Sequence, residues 1–290
     1  MALDLIAALI QTQALRLAPP GQVFWYTSGT VGPYYINTEF LYGGQAAAEE
    51  LLCFIDAEKG DRQVFPERLQ ARVEAQAAVN PVFAGVIGAL VERVRQVGGE
   101  GCDFISGGER RDWFFSGLVA TRLGKPHLLI YKDHSAVLYR EGKVAPVAGL
   151  EGKRMVHVAD LITEASSYVR DWIPAIRQRG GEMGCAVNVV DRAQGGAEAL
   201  RQAQVRSEAL LRVDGELFAA LRLAGHIDAQ QEQVLLAYAR DPHAAMKAFL
   251  QENPEFLRQA LRSADERTAG RARLLTEQNP YKLATELLKA

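Results

Sequence analysis

The stretch Met155–Ser167, MVHVADLITEASS, holds the residues of this chain best arranged to receive a phosphate. An apolar run ends at Ala159-Asp160, a Thr-bearing turn follows, and a helical pattern opens near Ser166. The first backbone N–H groups of a helix lack intrahelical partners and attract anions, so Thr163, Ser166 and Ser167 surround a natural phosphate seat. Asp160 stands beside it, where a carboxylate could meet sugar hydroxyls. The same hydroxyls also serve as ordinary helix caps. A second cluster, SGGERRDW, sets Gly107 and Gly108 ahead of Glu109, Arg110, Arg111 and Asp112, a dense charge group at another helix start. Arg110 and Arg111 suit a phosphorylated ligand or a surface set of ion pairs.

The elements that must hold these residues follow from the apolar pattern. CDFISGG, a helix over DWFFSGLVATRLG, then HLLIYKD, RMVHVADLI, a helix over SSYVRDWIPAIRQRGG, and GCAVNVVDR read as β-α-β, a loop, and β-α-β. Near-continuous Val, Ile and Leu runs of this kind predict a mostly parallel sheet covered by helices on both faces. Ligands of such sheets bind beyond the carboxyl ends of the strands. Ser106 to Arg111, Lys132 to His134, Asp160 to Ser167, and Asp191-Arg192 all lie at such ends. Between strands, AVLYREGKVAPV reads as a hairpin turning at Glu141-Gly142.

Around this centre the chain reads as additions. The segment MALDLIAALIQTQALRLAPP is an amphipathic helix with Asp4 where an export signal needs positive charge. VFWYTSGTVGPYYINTEFLYGG reads as strand, turn and strand, and residues 45–98 as an inserted group of helices punctuated by Pro66 and Pro81. From residue 197 to 290 the pattern is helical throughout, with DPHAAMKAFL and NPEFLRQAL opening on cap-and-proline pairs. The expected organisation is an α/β domain over 1–196 and a helical C-terminal extension over 197–290.

Composition excludes several classes. The 290 residues are 48% hydrophobic and 23% charged, an ordinary globular balance. Lys and Arg number 33 against 35 Asp and Glu, so the net charge of -2 provides no field for nucleic acid or an anionic membrane. No apolar run approaches the roughly 20 residues that cross a bilayer, and the expected location is the cytoplasm. Cys53, Cys102 and Cys185 form no CxxC pair and read as buried free thiols. His127, His157, His226 and His243 show no triad or metal spacing and read as structural. There is no Walker loop and no GxGxxG fingerprint.

Over residues 24–196 the order of motifs resembles the orotate phosphoribosyltransferase family, which has the type I phosphoribosyltransferase fold. SGTVGPYYINTEFLY resembles that family's N-terminal element, LGKPHLLIYKD its strand ending in Arg-Lys-Glu, and VVDRAQGG its base-side Asp-Arg strand. The resemblance implies Mg²⁺-dependent transfer of ribose 5-phosphate from phosphoribosyl pyrophosphate to a pyrimidine base by a homodimer. It assigns Asp160 to the ribose, Thr163 to Ser167 to the 5′-phosphate, Lys132 to pyrophosphate and Arg192 to the carboxylate of the base. Arg110, Arg111, Gly107 and Gly108 would form the pyrophosphate loop. No metal ligand is assigned beyond substrate oxygens near Asp160. Lys132 with Asp133 reads equally as a solvated strand end, and Asp191 with Arg192 as an ion pair. Tyr34 and Tyr35 read as core aromatics or as a stack near the base.

The chain departs from the family pattern at two points of the phosphate turn and at its lid. Ala159 stands where the first of two adjacent acids is usual. Glu164-Ala165 stands where small hydroxyl and glycine residues are usual, bringing a negative charge and a Cβ to the nest. His134, Arg140 and Lys143 are the basic residues of the lid span, outside the family spacing. These departures motivate an alternative expectation, a non-catalytic protein of this fold that senses a nucleotide or scaffolds a partner.

Overall fold

A computed structural model describes residues 3–288; the outermost residues of the N-terminal helical reading and of the C-terminal one, 1–2 and 289–290, lie outside it. The chain forms two compact units. The first takes the residues up to Ala14 and Asn37–Val213, and the second takes Leu15–Ile36 with the residues from Asp214 onward.

Among the described residues of the first unit, seven strands form one sheet. They are β1 (Phe104–Gly108), β2 (His127–Ile130), β3 (Ala136–Arg140), β4 (Lys143–Pro146), β5 (Arg154–Ile162), β6 (Glu182–Asp191) and β7 (Arg206–Arg212). Their spatial order is β7-β6-β5-β1-β2-β3-β4. The pairs from β7 to β2 are parallel, whereas β3 and β4 add an antiparallel hairpin at one edge, with Arg140 opposite Lys143 across its turn. The mostly parallel sheet and the hairpin agree with the sequence reading.

Helices α1 (Leu5–Gln11), α2 (Gln45–Glu58), α3 (Phe65–Val79), α4 (Pro81–Gln96), α5 (Trp113–Arg122), α6 (Ile173–Arg177) and α7 (Gly196–Gln202) accompany the sheet. Asn80 caps α4 by accepting from the Phe83 N–H at 3.0 Å, with Pro81 at the first helical position, where its missing donor costs nothing. Trp113, Phe114 and Phe115 of α5 are fully buried, and Phe65, Phe83 and Tyr42 pack around them. On the other side of β5, Tyr168, Trp172, Ile173 and Ile176 cover Ala159 and Ile162. Burial on both faces explains why the central strands are apolar without alternation.

In the second unit the strand pairs Phe24–Trp25 with Val31–Gly32 and Leu15–Leu17 with Tyr34–Ile36 accompany α8 (Gly215–Leu223), α9 (Ala229–Arg240), α10 (Pro242–Glu252), α11 (Pro254–Leu261) and α12 (Glu266–Gln278). Trp25 stacks on Phe256 at 5.3 Å, and the Tyr281 hydroxyl accepts from the Val31 N–H at 2.9 Å. Tyr34 is buried edge-on to Tyr238, and Tyr35 packs on Phe24 and Tyr26 beneath Arg16.

Three readings are corrected. RSEALLR at 206–212 was expected to be helical, but it forms β7 beside β6: pairing with a sheet edge overrides the helix propensity of Glu, Ala and Leu. The strand carries the α/β unit past the expected end at residue 196, while residues 15–36 group with the C-terminal helices. Cys53 is exposed on α2, whereas Cys102 and Cys185 are buried, and all three are free thiols. No single described helix is long and apolar enough to cross a membrane.

Gly108 is fixed by packing. A Cβ there would enter the Trp172 indole, so Gly108→Ala is expected to lower stability by about 1–3 kcal/mol through overpacking. At Gly184 an added Cβ meets nothing, and the same change should stay within about 0.5 kcal/mol. Denaturant midpoints of the two variants measure the contrast.

Candidate functional site

From β1 the chain passes through α5 to β2 on one side, and from β5 it passes to β6 on the other. The crevice where connections diverge lies at the carboxyl ends of β1 and β5, the place where open α/β sheets receive ligands. A cavity of about 340 Å³ opens there. Its walls come from the loop after β1 (Glu109 to Asp112), from Lys132 after β2, and from the turn after β5 (Asp160 to Tyr168, with Trp172).

The structure thus brings together Asp160, Thr163, Ser166, Ser167, Lys132, Arg110 and Arg111, all named from the sequence. Three named residues stand outside the lining. Gly107 and Gly108 are buried within β1, against Ser116 and Trp172, and serve close packing. Arg192 lies on the loop after β6, its N–H donating to the Ile162 carbonyl at 2.9 Å. The charge carried by Asp191 is 4.0 Å from Arg212.

The turn after β5 is built for close approach. Ala165 is buried and has φ of 58°, a left-handed conformation that usually calls for glycine. Ser166 and Ser167 then start a helix that widens into a π turn over Tyr168–Trp172 before α6. That turn sets Tyr168 and Trp172 as the buried aromatic wall. Ser166, Ser167 and Glu164 are exposed.

The loop after β1 is held by ion pairs. Glu109 meets Lys59, the C-cap of α2, at 2.7 Å and accepts from the Lys132 N–H at 3.1 Å. Arg110 pairs with Asp56 of α2, and Arg111 with Glu39 at 2.9 Å. Both arginines therefore already have carboxylate partners, as the surface ion-pair reading has it. Lys132 is exposed and has no salt-bridge partner among the described residues. His134 lies 3.5 Å from Asp171, while Arg140 and Lys143 are exposed beside the hairpin turn.

Asp160 is the chemical centre of the cavity. Its carboxyl accepts from the Thr38 hydroxyl at 2.9 Å. Burial, first, and the nearby Asp112 and Glu39 carboxylates push its pKa well above the ordinary carboxylate value, with Arg111 and the Thr38 hydrogen bond opposing. Asp112 accepts from the Gly108 N–H at 3.0 Å and meets His157 Nε2 at 3.2 Å, and His157 Nδ1 meets the Ser106 hydroxyl at 3.0 Å. Ser106 and His157 are fully buried, so this Ser-His-Asp chain supports Asp112 from behind and offers no accessible nucleophile. Burial and His157 together push His127 down to about 3, which keeps it neutral against Ser116.

Sequence reasoning missed Thr38, Glu39, Asp112 and the His157 support. Asp112 had a signal in the charge density of SGGERRDW. Thr38 and Glu39 had none, because they lie more than a hundred residues before Asp160 and meet it only in the fold.

The fold is that of a type I phosphoribosyltransferase. An orotate phosphoribosyltransferase from Francisella tularensis superposes with a TM-score of 0.55 at 13% identity, over 82% of this chain and 98% of that one. One from Aeropyrum pernix gives 0.50 at 21%, over 76% and 99%. The UMP synthase of Leishmania donovani gives 0.51 at 19% over 86% of this chain, which spans only 42% of that longer protein. No family model matches the sequence. The orotate phosphoribosyltransferase of Methanopyrus kandleri is 30% identical over 129 residues, 44% of this chain and 68% of that protein. The chain belongs to the orotate phosphoribosyltransferase family, a family of glycosyltransferases. This kinship does not favour the alternative of a non-catalytic sensor or scaffold.

The Asp160 environment predicts a pH effect of definite sign. A carboxyl whose folded pKa is raised contributes stability that is fully present below its unfolded pKa, 3.8, and is lost as pH rises through the folded value. Asp160→Asn is therefore expected to gain stability relative to the parent as pH increases from 4 towards 8. Paired denaturant melts across that range check it, and a pH-independent difference would refute it.

Proposed function

We propose that this protein transfers ribose 5-phosphate from phosphoribosyl pyrophosphate to a pyrimidine base, orotate in the first instance, as a step of nucleotide formation. The observation that supports the reading most is the meeting of Asp160, the Thr163–Ser167 turn and Lys132 in one cavity, in a chain of this family.

The reaction breaks the bond from the anomeric carbon to pyrophosphate, which leaves with the electron pair. A new bond forms from that carbon to a ring nitrogen of the base, whose proton passes to solvent. Three demands follow: hold the phosphate, hold the sugar in line, and neutralise pyrophosphate. Thr163, Ser166, Ser167 and the free amides of their turn hold the 5′-phosphate. Asp160 accepts from a ribose hydroxyl. Lys132 meets pyrophosphate as a compact point charge, joined by Arg110 and Arg111 when they exchange their carboxylate partners for it. Arg192 faces the carboxylate of the base from the neighbouring strand end.

No group of three or more His, Cys, Asp or Glu suited to a metal occurs among the described residues, so the donor set does not build a protein cage. It fits a Mg²⁺ held mainly by substrate oxygens, which is how this ion commonly binds, and which supplies charge neutralisation on pyrophosphate. A cytoplasmic homodimer is the expected working form.

Incubation with phosphoribosyl pyrophosphate, Mg²⁺ and orotate is expected to deplete orotate absorbance. Absence of turnover at high enzyme concentration would overturn the proposal. Glu164 lines the phosphate turn, and a carboxylate near a phosphate costs on the order of 1 kcal/mol. Glu164→Gln is accordingly expected to lower the KM for phosphoribosyl pyrophosphate about fivefold, a change that steady-state kinetics reads directly.

A further inference from the structure

Four carboxylates line the cavity, and two of them, Asp112 and Asp160, each keep one oxygen open. The Oδ2 atom of Asp112 is occupied by the Gly108 N–H at 3.0 Å and by His157 Nε2 at 3.2 Å, whereas its Oδ1 has only a long contact from the Asp160 N–H at 3.4 Å. Asp160 Oδ2 takes the Thr38 hydroxyl at 2.9 Å, and its Oδ1 receives no hydrogen bond from a described residue. Both residues are 8% exposed and both line the cavity.

Ala159 shows why Asp112 can occupy this place. Side chains alternate along a strand, so His157 and Ala159 project from the same face of β5. His157 holds Asp112 beside this end of β5, where the Asp160 N–H also reaches it, and Ala159 brings no charge of its own. The carboxylate therefore arrives from the loop after β1 instead of from the strand.

Charge distribution fixes what the pair can take. Two neighbouring carboxylates are acceptors without donors, and burial makes an unmet acceptor costly. A phosphate placed on them would be repelled. Phosphate belongs to the two ends of the cavity, at the Thr163–Ser167 turn and at Lys132, which leaves the carboxylates facing a neutral, donor-rich middle.

We propose that Asp112 is a ligand-binding residue that pairs with Asp160 to grip the vicinal hydroxyls of a sugar phosphate, one hydroxyl to each carboxylate. The inference rests on the proposed function and adds to it a residue on a different loop.

The test titrates the full chain calorimetrically, in EDTA, with ribose 5-phosphate, 2-deoxyribose 5-phosphate and 3-deoxyribose 5-phosphate. The parent is expected to favour ribose 5-phosphate over each deoxy sugar by about tenfold, the size of a hydrogen bond to a charged acceptor. Asp112→Asn should reduce the preference over one deoxy sugar to within about twofold, since its charged acceptor is gone, and leave affinity for that deoxy sugar at the parental value. Asp160→Asn should do the same for the other. Equal weakening of all three ligands, with unchanged preferences, would show Asp112 to be structural and overturn the inference. Preferences that exist only with added Mg²⁺ would show the pair holding an ion, and overturn it too. A parent that binds neither ribose 5-phosphate nor phosphoribosyl pyrophosphate would overturn the proposed function itself, a result distinguishable from the failure of Asp112 alone.

Discussion

The site depends on a carboxyl group, Asp160, taken out of water at the end of a central strand. A lone buried carboxylate is costly, and its surroundings must offset that cost with donors and nearby cations. Here Thr38 donates directly, and Arg111 acts from a distance while paired to Glu39. Asp112 pulls the other way by its charge, yet it is itself fixed by Gly108 and His157. The balance raises the carboxyl's pKa well above the ordinary carboxylate value, burial first and the Asp112 and Glu39 charges next.

That arrangement constrains its neighbours. The loop after β1 carries two cations and two acids, and together they tie it to three parts of the first unit: Glu109 and Arg110 to the C-terminal end of α2, Arg111 to the 3₁₀ turn at Thr38–Tyr42, Asp112 to β5. A pyrophosphate-sized anion entering the cavity competes with Asp56 and Glu39 for the arginines. Partly exposed pairs of this kind are individually weak, so a multiply charged ligand can displace them.

The turn after β5 meets a separate constraint. Ala165 takes a left-handed conformation, φ of 58°, that L-residues enter reluctantly, and it sits in the buried cluster with Ile162, Tyr168 and Trp172. Glu164, on the exposed side of the same turn, is tolerated structurally because nothing buries its charge.

The sequence alone determined the sheet and its candidate binding edge. Apolar strands and amphipathic helices carry their burial in their own periodicity, and polar residues at strand ends marked Asp160, Thr163, Ser166, Ser167 and Lys132 as neighbours. The hairpin turn at Glu141-Gly142 was legible for the same reason, since turn chemistry is local. Tertiary structure alone decided what distance along the chain conceals. RSEALLR became β7 because a sheet edge was open beside β6, against its local propensity. Gly107 and Gly108 proved to be packing residues because Ser116 and Trp172 lie against them. Thr38, Glu39 and Asp112 joined Asp160 through contacts spanning 48 to 122 residues, and a pairing of that range leaves no periodic trace in sequence.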